Sequence, residues 1–465
     1  MSTTDSTEFA GSPPFLSKQA TLAKPGFSRW MVPPAALAVH LCIGQAYAFS
    51  VFNGPLTKVI GITQSAPGDW SLTTLGWIFS LAIVFLGLSA AFAGKWLEHV
   101  GPRRTMLTAA CCFGGGFLIS ALGVWLHQIV LLYLGYGVIG GIGLGLGYVS
   151  PVSTLIRWFP DRRGMATGMA IMGFGGGAMI AAPLSVALMN HFKSATSVGV
   201  AETFVVLGIA YFISMTIGAI AIRIPPADWK PHGWVPPDTA HKMITRNHVH
   251  IDRALKTPQF YLVWLVLFLN VTAGIGILGQ ASVMIQESFK NTVTPAAAAG
   301  FVGLLSLFNM GGRFVWASSS DKLGRKNTYY VFFVLGALLY YFVPTFATSG
   351  NIALFVLSYC VILSMYGGGF STVPAYLADL FGTAFVGGIH GRLLTAWAAA
   401  GVAGPVLVNY IRAYEVAHGV AKADAYTMTV HIMAVLLVVG FICNLLVKRV
   451  DAVHHMSDAE LAAER

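Results

Sequence analysis

Charged residues are scarce in this sequence, and carboxylates are absent from the middle of its most apolar stretches. Of the 465 residues, 10% are charged, 18 are Asp or Glu, and 56% are hydrophobic. Glu98, Asp321, Asp379 and Glu287 stand at the ends of long apolar runs rather than at their centres. A chain of this composition cannot cover a water-facing surface with charge, which excludes a soluble globular protein.

Cysteine is also rare, and its placement argues against two further classes. All five cysteines fall inside apolar runs without metal-type spacing: Cys42, Cys111, Cys112, Cys360 and Cys443. We therefore expect free thiols used in packing. The apolar runs show neither paired His or Asp residues at metal spacing nor a Ser/His/Asp set, and the polar loops are short. An integral-membrane enzyme is disfavoured, and no metal or other cofactor is expected.

Twelve apolar runs of about 20 residues recur along the chain, and each can cross a hydrocarbon core of about 30 Å. They predict an all-α membrane protein with twelve transmembrane helices near 30–53, 71–95, 104–125, 129–151, 164–190, 202–223, 259–286, 296–319, 327–346, 351–376, 385–411 and 428–448. Residues 1–29 are rich in Ser, Thr and Pro and lack an apolar core. We expect a disordered cytoplasmic tail there and no cleavable signal peptide.

The net charge of +10 has a topological explanation. Lys and Arg cluster in alternate loops, such as those at 95–104, 157–163, 223–256 and 322–326. The opposite loops carry few basic residues: Lys58, Lys193, Lys290, Arg412 and Lys422. This positive-inside asymmetry predicts that both termini lie in the cytoplasm. Because the basic residues follow membrane topology, we expect a lipid bilayer as the partner and no nucleic acid.

The two halves of the sequence match at an offset of about 223 residues, which is the pattern of internal repeats in transporters. The ordered matches pair Pro151 with Pro374, Gly164 and Gly168 with Gly387 and Gly391, Pro183 with Pro405, and Gly44-Gln45-Ala46 with Gly279-Gln280-Ala281. They predict two pseudo-symmetric six-helix bundles, 30–223 and 259–448. A cytoplasmic connector at 224–258 joins them, and a cytoplasmic tail at 449–465 follows. Two such bundles around a central cavity can rock, which is alternating access.

Two apolar runs are rich in glycine. The fourth contains GYGVIGGIGLGLGY from Gly135 to Tyr148, and the fifth contains GFGGGA from Gly173 to Ala178. A phosphate-binding loop is the alternative for GFGGGA, but no strand precedes it and no Gly-Lys-Ser/Thr follows. We expect close helix packing, since small residues let helix backbones approach in lipid.

One arginine lies inside the eighth apolar run, in GFVGLLSLFNMGGRFVWASSSDKLGRK from Gly300 to Lys326. Arg313 is roughly two turns, about 12 Å, from Asp321, where the helix is expected to leave the bilayer. A charge at that depth costs about 2.5–3.5 kcal/mol by insertion scales, so it persists where it faces a cavity and a partner. We expect an anion site. The alternatives are a pair with Asp321, or a side chain extended toward the membrane surface.

Several motifs carry a resemblance to a known family. The turn Gly94-x-x-x-Glu98-x-x-Gly101-x-Arg103-Arg104 resembles the loop signature of the major facilitator superfamily, with Glu98 in place of the usual aspartate. Longer runs resemble the oxalate/formate antiporter group, bacterial relatives of the monocarboxylate transporters: GQAYAFSVF at 44–52, RWFPDRRGMATGMAIMGFGGGA at 157–178, ALKTPQFYLVW at 254–264, NMGGRF at 309–314, YGGGFSTVPAYLADLFG at 366–382 and LLTAWAAAGVAGP at 393–405. The resemblance covers the chain except its two tails.

The resemblance implies the major facilitator fold, a bacterial inner membrane and a set of gating residues. In that set, a carboxylate at a helix end pairs with basic residues of the following turn, and the pairs lock the bundles in one state. The set comprises Glu98, Arg103, Arg104, Asp321, Arg325 and Lys326.

The resemblance also assigns substrate-binding residues. The family's substrate arginine falls on Arg313, and its aromatic cage falls on Tyr47, Tyr148 and Tyr366. For each tyrosine, simple packing is the alternative. Asn309 stands one turn before Arg313, where animal monocarboxylate carriers have an aspartate.

One departure from the family bears on the substrate. Where the oxalate exchanger carries a lysine that supplies a second cation, this chain has Trp397, with an apolar face and one N–H donor. One buried cation balances one negative charge, and a dianion would leave a charge unpaired. We therefore expect a small monocarboxylate of the formate, lactate or pyruvate kind. Gln45 and Gln280, matched across the repeat, either touch substrate or bridge helices.

The sequence is compatible with two ways of driving carboxylate transport. His40 is the titratable side chain inside a span that could carry a proton, and packing is its alternative. The surviving mechanisms are proton symport and exchange of one carboxylate for another. An oxalate/formate-type antiporter is the alternative substrate assignment, and a non-transporting membrane sensor is a remote one. We expect a monomer.

Overall fold

The computed structural model describes residues 13–227, 229–235, 243–278, 280–290 and 292–464. Over these ranges the chain is helical, and its β-type pairing is limited to two isolated bridges, Leu22 with Ile224 and Val249 with His455. Part of the expected tail (1–12), part of the connector (228 and 236–242) and Gly279 of the repeat lie outside the described residues.

Twelve long helices account for the twelve predicted spans. We number them α1 (Arg29–Leu56), α2 (Leu72–Val100), α3 (Pro102–Trp125), α4 (Ile129–Trp158), α5 (Arg163–Phe192), α6 (Val200–Ala221), α7 (Pro258–Leu278), α8 (Pro295–Leu323), α9 (Arg325–Thr348), α10 (Ile352–Phe381), α11 (Val386–Ala417) and α12 (Thr427–Leu446). Eleven are long and apolar enough to cross a membrane over the described residues. The twelfth, α8, has 29 residues, or about 43 Å of helix, and carries Arg313.

Several helices extend beyond the apolar runs that predicted them. The fourth span was expected to end at 151, but α4 continues through Arg157 to Trp158. The apolar run marks only the part of a helix that needs a lipid environment, so a polar final turn is invisible to it. The seventh span also departs from one continuous helix. It ends at Leu278 and resumes as a short helix, Ala281–Ser288, on the far side of a break.

The helices form two bundles, α1–α6 and α7–α12, that meet along two helix pairs. One pair is α2 with α11, and the other is α5 with α8. Glycines bring the backbones together at both: Gly94 of α2 lies against the backbone of Gly388 of α11, and Gly168 of α5 against the carbonyl of Arg313. Small residues permit this approach where lipid supplies no hydrophobic driving force.

The turn at Gly101, the turn at Gly324, the connector and both terminal segments gather at one end of the molecule, which we call the basic end. The N-terminal segment that precedes α1 is bound to the rest of the chain there. Lys18 donates to the carbonyl of Glu98 at 2.9 Å, and the backbone N–H of Ala23 donates to the carbonyl of Ile224 at 3.0 Å. Residues 13–28 therefore lie against the first bundle, which differs from the expected disordered tail. These contacts involve backbone groups that composition does not reveal.

Candidate substrate site

The glycine run of α5 determines where Arg313 can lie. A Cβ atom at Gly175 would fall 3.0 Å from the Arg313 Nε, and one at Gly177 would fall 2.4 Å from the carbonyl oxygen of Leu41 on α1. Glycine at these positions lets α5 pack between α1 and α8 at backbone distance. The predicted packing role of GFGGGA is thus observed, and it brings the guanidinium of α8 to the interface of the two bundles.

Arg313 is fully buried, and it lies within hydrogen-bonding distance of neutral groups only. Its Nε donates to the Asn309 Oδ1 at 3.2 Å, and its Nη1 donates to the carbonyl of Ile171 on α5 at 3.4 Å. Its Nη2 has no hydrogen-bond partner, and no carboxylate lies within ion-pair distance, among the residues that the structure describes. Neither alternative for Arg313 matches this geometry, since Asp321 pairs with Arg325 and the guanidinium does not reach the surface.

Six aromatic rings from both bundles form a connected cluster beside the guanidinium, and two of them face it directly. The Arg313 Cζ lies 5.7 Å from the ring centroid of Phe174 and 5.3 Å from that of Phe370, which are cation–π distances. The Trp397 ring contacts the rings of Phe174, Phe370 and Tyr148 with centroid separations of 5.2, 4.7 and 5.4 Å. The remaining members of this aromatic box, which we define by its six rings, are Tyr47 and Tyr366.

The aromatic box presents hydrogen-bond donors without acceptors. In the described part of the chain, the Tyr148 hydroxyl, the Trp397 Nε1 and the Arg313 Nη2 are buried and unpartnered. Leaving a polar group buried and unpaired costs about 1–3 kcal/mol, so three together call for an acceptor. A carboxylate carries two oxygens that accept such bonds and a charge that balances the guanidinium.

The predicted tyrosines occupy different places around this box. Tyr148 and Tyr366 are fully buried, whereas Tyr47 is half-buried. The hydroxyls of Tyr47 on α1 and Tyr366 on α10 lie 3.2 Å apart and form a hydrogen bond between the two bundles. This bond closes the box on the side away from the basic end, because Tyr366 lies one turn before Phe370 on a helix that runs toward that end.

Gln45 and Gln280 lie outside the box. The Gln45 Oε1 accepts a hydrogen bond of 2.9 Å from Tyr136, whose ring packs with Phe49 inside the first bundle. Gln280 lies in the break after α7 and donates to Asn409 at 2.6 Å. Both glutamines therefore bridge neighbouring helices, which is the second of the two roles expected for them.

Three residues of this region are not predicted by the sequence. Phe174 and Phe370 complete the box, and His390 of α11 lies beside Tyr148 with a ring separation of 5.9 Å. His40 of α1 contacts the same tyrosine from the other bundle at 5.4 Å. Phe174 lies inside the GFGGGA run, whose glycines predict close packing and nothing more. His390 falls near a predicted span end, where a surface position is the usual assumption.

Two of the three second-half gating residues, Asp321 and Arg325, form an ion network with Asp379 at the basic end. Arg325 donates to Asp321 at 2.6 Å and to Asp379 at 3.1 Å, and Asp379 also accepts from Arg163 of the other bundle at 2.8 Å. The Asp321 carboxylate in turn accepts from the first backbone N–H groups of α5, at Gly164 and Met165, at 2.8 and 2.9 Å. A carboxylate at a helix N-terminus is favourable for both its hydrogen bonds and the helix dipole. Three contacts of this network thus join the two bundles.

The first-half gating residues pair differently from the sequence expectation. Glu98 forms its ion pair with Arg157 of α4, and Arg157 also donates to the carbonyl of Ala384 in the second half at 3.2 Å. Arg103 donates to the carbonyl of Phe15 at 2.8 Å instead of pairing with Glu98. Arg103, the neighbour of Glu98 in the sequence, is therefore not its partner, because α4 packs against α2 here and brings the Arg157 guanidinium to the carboxylate.

The two remaining gating residues form no ion pair in the described chain. Arg104 is exposed, and Lys326 donates to the carbonyls of Leu445 and Val447 at 2.9 and 2.7 Å.

The connector adds a further contact across the basic end. Asp252 pairs with Lys95 of α2 at 2.6 Å, and the hydrogen bond from Lys95 holds the pKa of Asp252 below its usual value. The backbone N–H of Thr245 donates to the carbonyl of Asp379 at 2.8 Å. The basic end is therefore closed, and the Tyr47–Tyr366 bond covers the other side of the aromatic box.

A family model described as the Major Facilitator Superfamily matches residues 26–405. The chain belongs to the Major Facilitator Superfamily. It is therefore a multi-pass membrane protein of a transporter family and not an enzyme.

Relatives within this family include carriers of small carboxylates. The chain is 28% identical over 385 residues to the oxalate:formate antiporter of Oxalobacter formigenes, covering 81% of this chain and 83% of that one. It is 26% identical over 380 residues to the apicoplast pyruvate carrier 1 of Toxoplasma gondii, covering 70% and 68%. It is 24% identical over 355 residues to an uncharacterised transporter of this superfamily, YhjX of Escherichia coli, covering 76% and 81%.

Solved structures agree with the fold. The proton:xylose symporter XylE aligns with a TM-score of 0.65 at 17% identity, over 94% of this chain and 98% of that one. The transporter FucP in the outward conformation aligns with a TM-score of 0.64 at 13% identity, over 90% and 99%. At such identities the likeness concerns the fold alone and supports the twelve-helix arrangement in two bundles.

Proposed function

We propose that this protein transports small monocarboxylates across a bacterial inner membrane by alternating access. The observation that carries the proposal is the environment of Arg313: a fully buried guanidinium without a carboxylate partner in the described chain, enclosed by aromatic rings with unpartnered donors. A planar guanidinium binds a carboxylate through paired hydrogen bonds, which a lysine cannot reproduce. The oxalate:formate antiporter and the pyruvate carrier among the relatives point to the same class of substrate.

Formate, lactate and pyruvate are the substrates that fit the charge of the site. Within the box one cation is present, and Trp397 offers a single N–H in place of a second cation. A dicarboxylate would bring one unpaired negative charge into a low-dielectric region. Antiport of oxalate against formate is the second candidate, supported by the 28% identity with the oxalate:formate antiporter.

In this proposal the basic end faces the cytoplasm, both termini lie there, and the protein acts as a monomer. The gating residues at that end hold the bundles together while the site is closed to the cytoplasm. Net transport proceeds as proton symport or as exchange of one carboxylate for another. A membrane sensor is the remaining alternative; such a protein would bind carboxylates without moving them.

A binding screen combined with one conservative variant tests the substrate assignment. Purified protein is heated in the presence of C1 to C6 mono- and dicarboxylates, and we expect monocarboxylates to raise the melting temperature. Arg313→Lys should weaken this binding about 10- to 100-fold, since hydrogen bonds to charged groups are worth about 1.5–3 kcal/mol. Arg412→Lys is the matched control, because Arg412 is paired with Glu287 at the other end of the second bundle.

Counterflow in proteoliposomes then separates a carrier from a sensor. Wild-type protein should exchange labelled pyruvate or formate for unlabelled substrate, and Arg313→Lys should not. Unchanged binding and counterflow in Arg313→Lys would contradict the assignment of the site. Binding without counterflow in the wild type would favour the sensor.

A further inference from the structure

Two buried histidines, one from each bundle, lie on either side of Tyr148. His40 of α1 is 0% exposed and His390 of α11 is 2% exposed. Their rings lie 5.4 and 5.9 Å from the Tyr148 ring. Throughout the described residues, the Nε2 atom of each histidine and the Tyr148 hydroxyl have no hydrogen-bond partner. Three rings that contact one another in a row thus each carry an unpaired polar atom, and leaving such atoms buried is costly.

The hydrogen bond of His40 defines which of its nitrogens is open. Its Nδ1 lies 3.3 Å from the carbonyl oxygen of Ala36, and a carbonyl only accepts, so Nδ1 carries the hydrogen. The lone pair of the neutral ring is then on Nε2, the unpartnered atom. The neutral His40 ring, packed against the Tyr148 ring, therefore carries a buried proton acceptor that nothing in the described chain occupies.

Charged groups around the histidines are few and have identifiable roles. Arg313 of α8 and His40 of α1 pack against the same stretch of α5: a Cβ atom at Gly173 would fall 3.0 Å from the His40 Cβ, and one at Gly175 would fall 3.0 Å from the Arg313 Nε. Charges on both side chains would repel each other in this buried region. Helix α5 faces His40 with Gly173 and Phe174, which do not titrate. On the other side, Glu98 of α2 lies against Gly387, one turn before His390, and is already paired with Arg157. No ion pair involving either histidine occurs in the described ranges.

We propose that His40, Tyr148 and His390 form a proton-binding site that is coupled to the carboxylate site at Arg313. Without a bound anion, the guanidinium charge opposes a second positive charge on His40. A carboxylate on Arg313 removes that opposition, so a proton and an anion bind together and the loaded site carries no added charge. A neutral load avoids the cost of moving an unbalanced charge through a low-dielectric interior. This inference rests on the proposed function and favours symport over exchange.

The position of the histidines adds a dependence on conformation. His40 and Tyr148 belong to the first bundle and His390 to the second. His390 lies near the start of α11, one turn after Gly387, which packs against Glu98 at the basic end. Opening at that end would move His390 away from Tyr148. The three groups therefore come together only while the bundles are closed at that end.

Calorimetry on the purified protein measures the coupling directly. Pyruvate binding is titrated at pH 7 in two buffers of different ionisation enthalpy, which gives the number of protons taken up per anion bound. We expect about one proton for the wild type and none for the double variant His40→Gln with His390→Gln. His431→Gln is the control. This histidine lies in the first turns of α12, away from the basic end and beside Tyr341, so its replacement should leave proton uptake at the wild-type value.

Transport provides the second readout. An inward proton gradient should raise pyruvate accumulation in wild-type proteoliposomes. In the double variant this gradient-driven accumulation should be at least tenfold lower than in the wild type, after each is normalised to its own counterflow rate at equal pH. If the double variant does not fold, the single variants are measured, and retention of wild-type proton uptake in both overturns the proposal. Wild-type binding without proton uptake also overturns it. A wild type that neither binds nor exchanges any carboxylate would instead refute the proposed function.

Discussion

At the scale of residues, the site combines one fixed charge with donors that lack acceptors. Burying an ion is expensive unless partners compensate for its lost hydration. Among the residues that the structure describes, the Arg313 guanidinium contacts the oxygens of Asn309 and Ile171 and two aromatic faces. Aromatic rings give a cation partial compensation, worth about 0.5–2 kcal/mol each. The remaining cost is offset when an anion binds, which ties the stability of the site to its occupancy.

Trp397 determines how much negative charge the site accepts. Trp397→Lys adds a second cation, an ammonium, beside Phe370 and Tyr148, whose ring centroids lie 4.7 and 5.4 Å from that of the indole. We expect the preference for oxalate over formate to rise at least tenfold, because a dianion is then balanced by two cations. Thermal shift with both anions measures the change. Trp397→Phe is the control: it removes the N–H donor, and should weaken both anions by a similar, smaller factor. A lysine variant that keeps the wild-type order of affinities would contradict the charge-matching argument.

The sequence could predict the charged centre of this site better than its walls. Arg313 stands out because a charge in an apolar run is costly and therefore informative, and Asn309 follows from helical spacing. Phe174, Phe370 and His390 give no such signal, since aromatic rings abound in membrane helices and a histidine near a span end is ordinary. Which face each of these residues presents depends on the rotation of α5, α10 and α11, and around α5 apolar residues are distributed almost evenly, so the sequence does not reveal that rotation.

At the scale of helices, α5 is the element on which the site depends. Its glycines face α1 on one side and α8 on the other, so both the His40 and the Arg313 backbones lie close to it. The internal repeat did not predict the surroundings of all the positions that it pairs. It equated Gln45 with Gln280, yet Gln45 lies in the 3-10 segment Gly44–Phe52 within α1, whereas Gln280 directly precedes the short helix Ala281–Ser288. The two side chains therefore have different neighbours, Tyr136 and Asn409.

Gly177→Ala tests the close packing of α1 on α5. The added methyl would lie 2.4 Å from the Leu41 carbonyl oxygen and 2.8 Å from the Gly44 Cα, both backbone atoms that cannot rotate away. We expect destabilisation of about 1–3 kcal/mol, as for other overpacked positions, seen as a lower melting temperature. Gly115→Ala in α3 is the control, because a Cβ atom at Gly115 would meet nothing within 4 Å and alanine favours the helix by about 1 kcal/mol. Equal melting temperatures for the two variants would show that α1 and α5 are packed less tightly than described.

At the scale of the whole molecule, the two bundles are joined more strongly at the basic end than elsewhere. The Arg163–Asp379 pair, the two hydrogen bonds from the start of α5 to Asp321, and the Arg157 bond to the Ala384 carbonyl all cross between the halves there. On the other side of the site, the hydrogen bond that joins the bundles in the described part of the chain is the neutral one between Tyr47 and Tyr366. If the bundles rock between a state closed at the basic end and a state open there, the ionic contacts at that end favour the closed state.

Asp379→Asn should shift that balance toward opening at the basic end. The neutral side chain loses its charge-assisted bonds to Arg163 of the first bundle and Arg325 of the second, and bonds of this kind are worth about 1.5–3 kcal/mol, or a factor of about 10–100 in a two-state equilibrium. Spin labels at positions 104 and 327, which are exposed on opposite bundles, report the separation by pulsed electron resonance once the native cysteines are replaced. We expect a longer distance to appear in Asp379→Asn and not in Asp424→Asn, where the exposed carboxylate lies in the loop between α11 and α12. If the ion network holds the bundles together, the population at the longer spin-label distance should increase in Asp379→Asn. An unchanged distance distribution would contradict this, and would assign the closure to the glycine contacts between α2 and α11 instead.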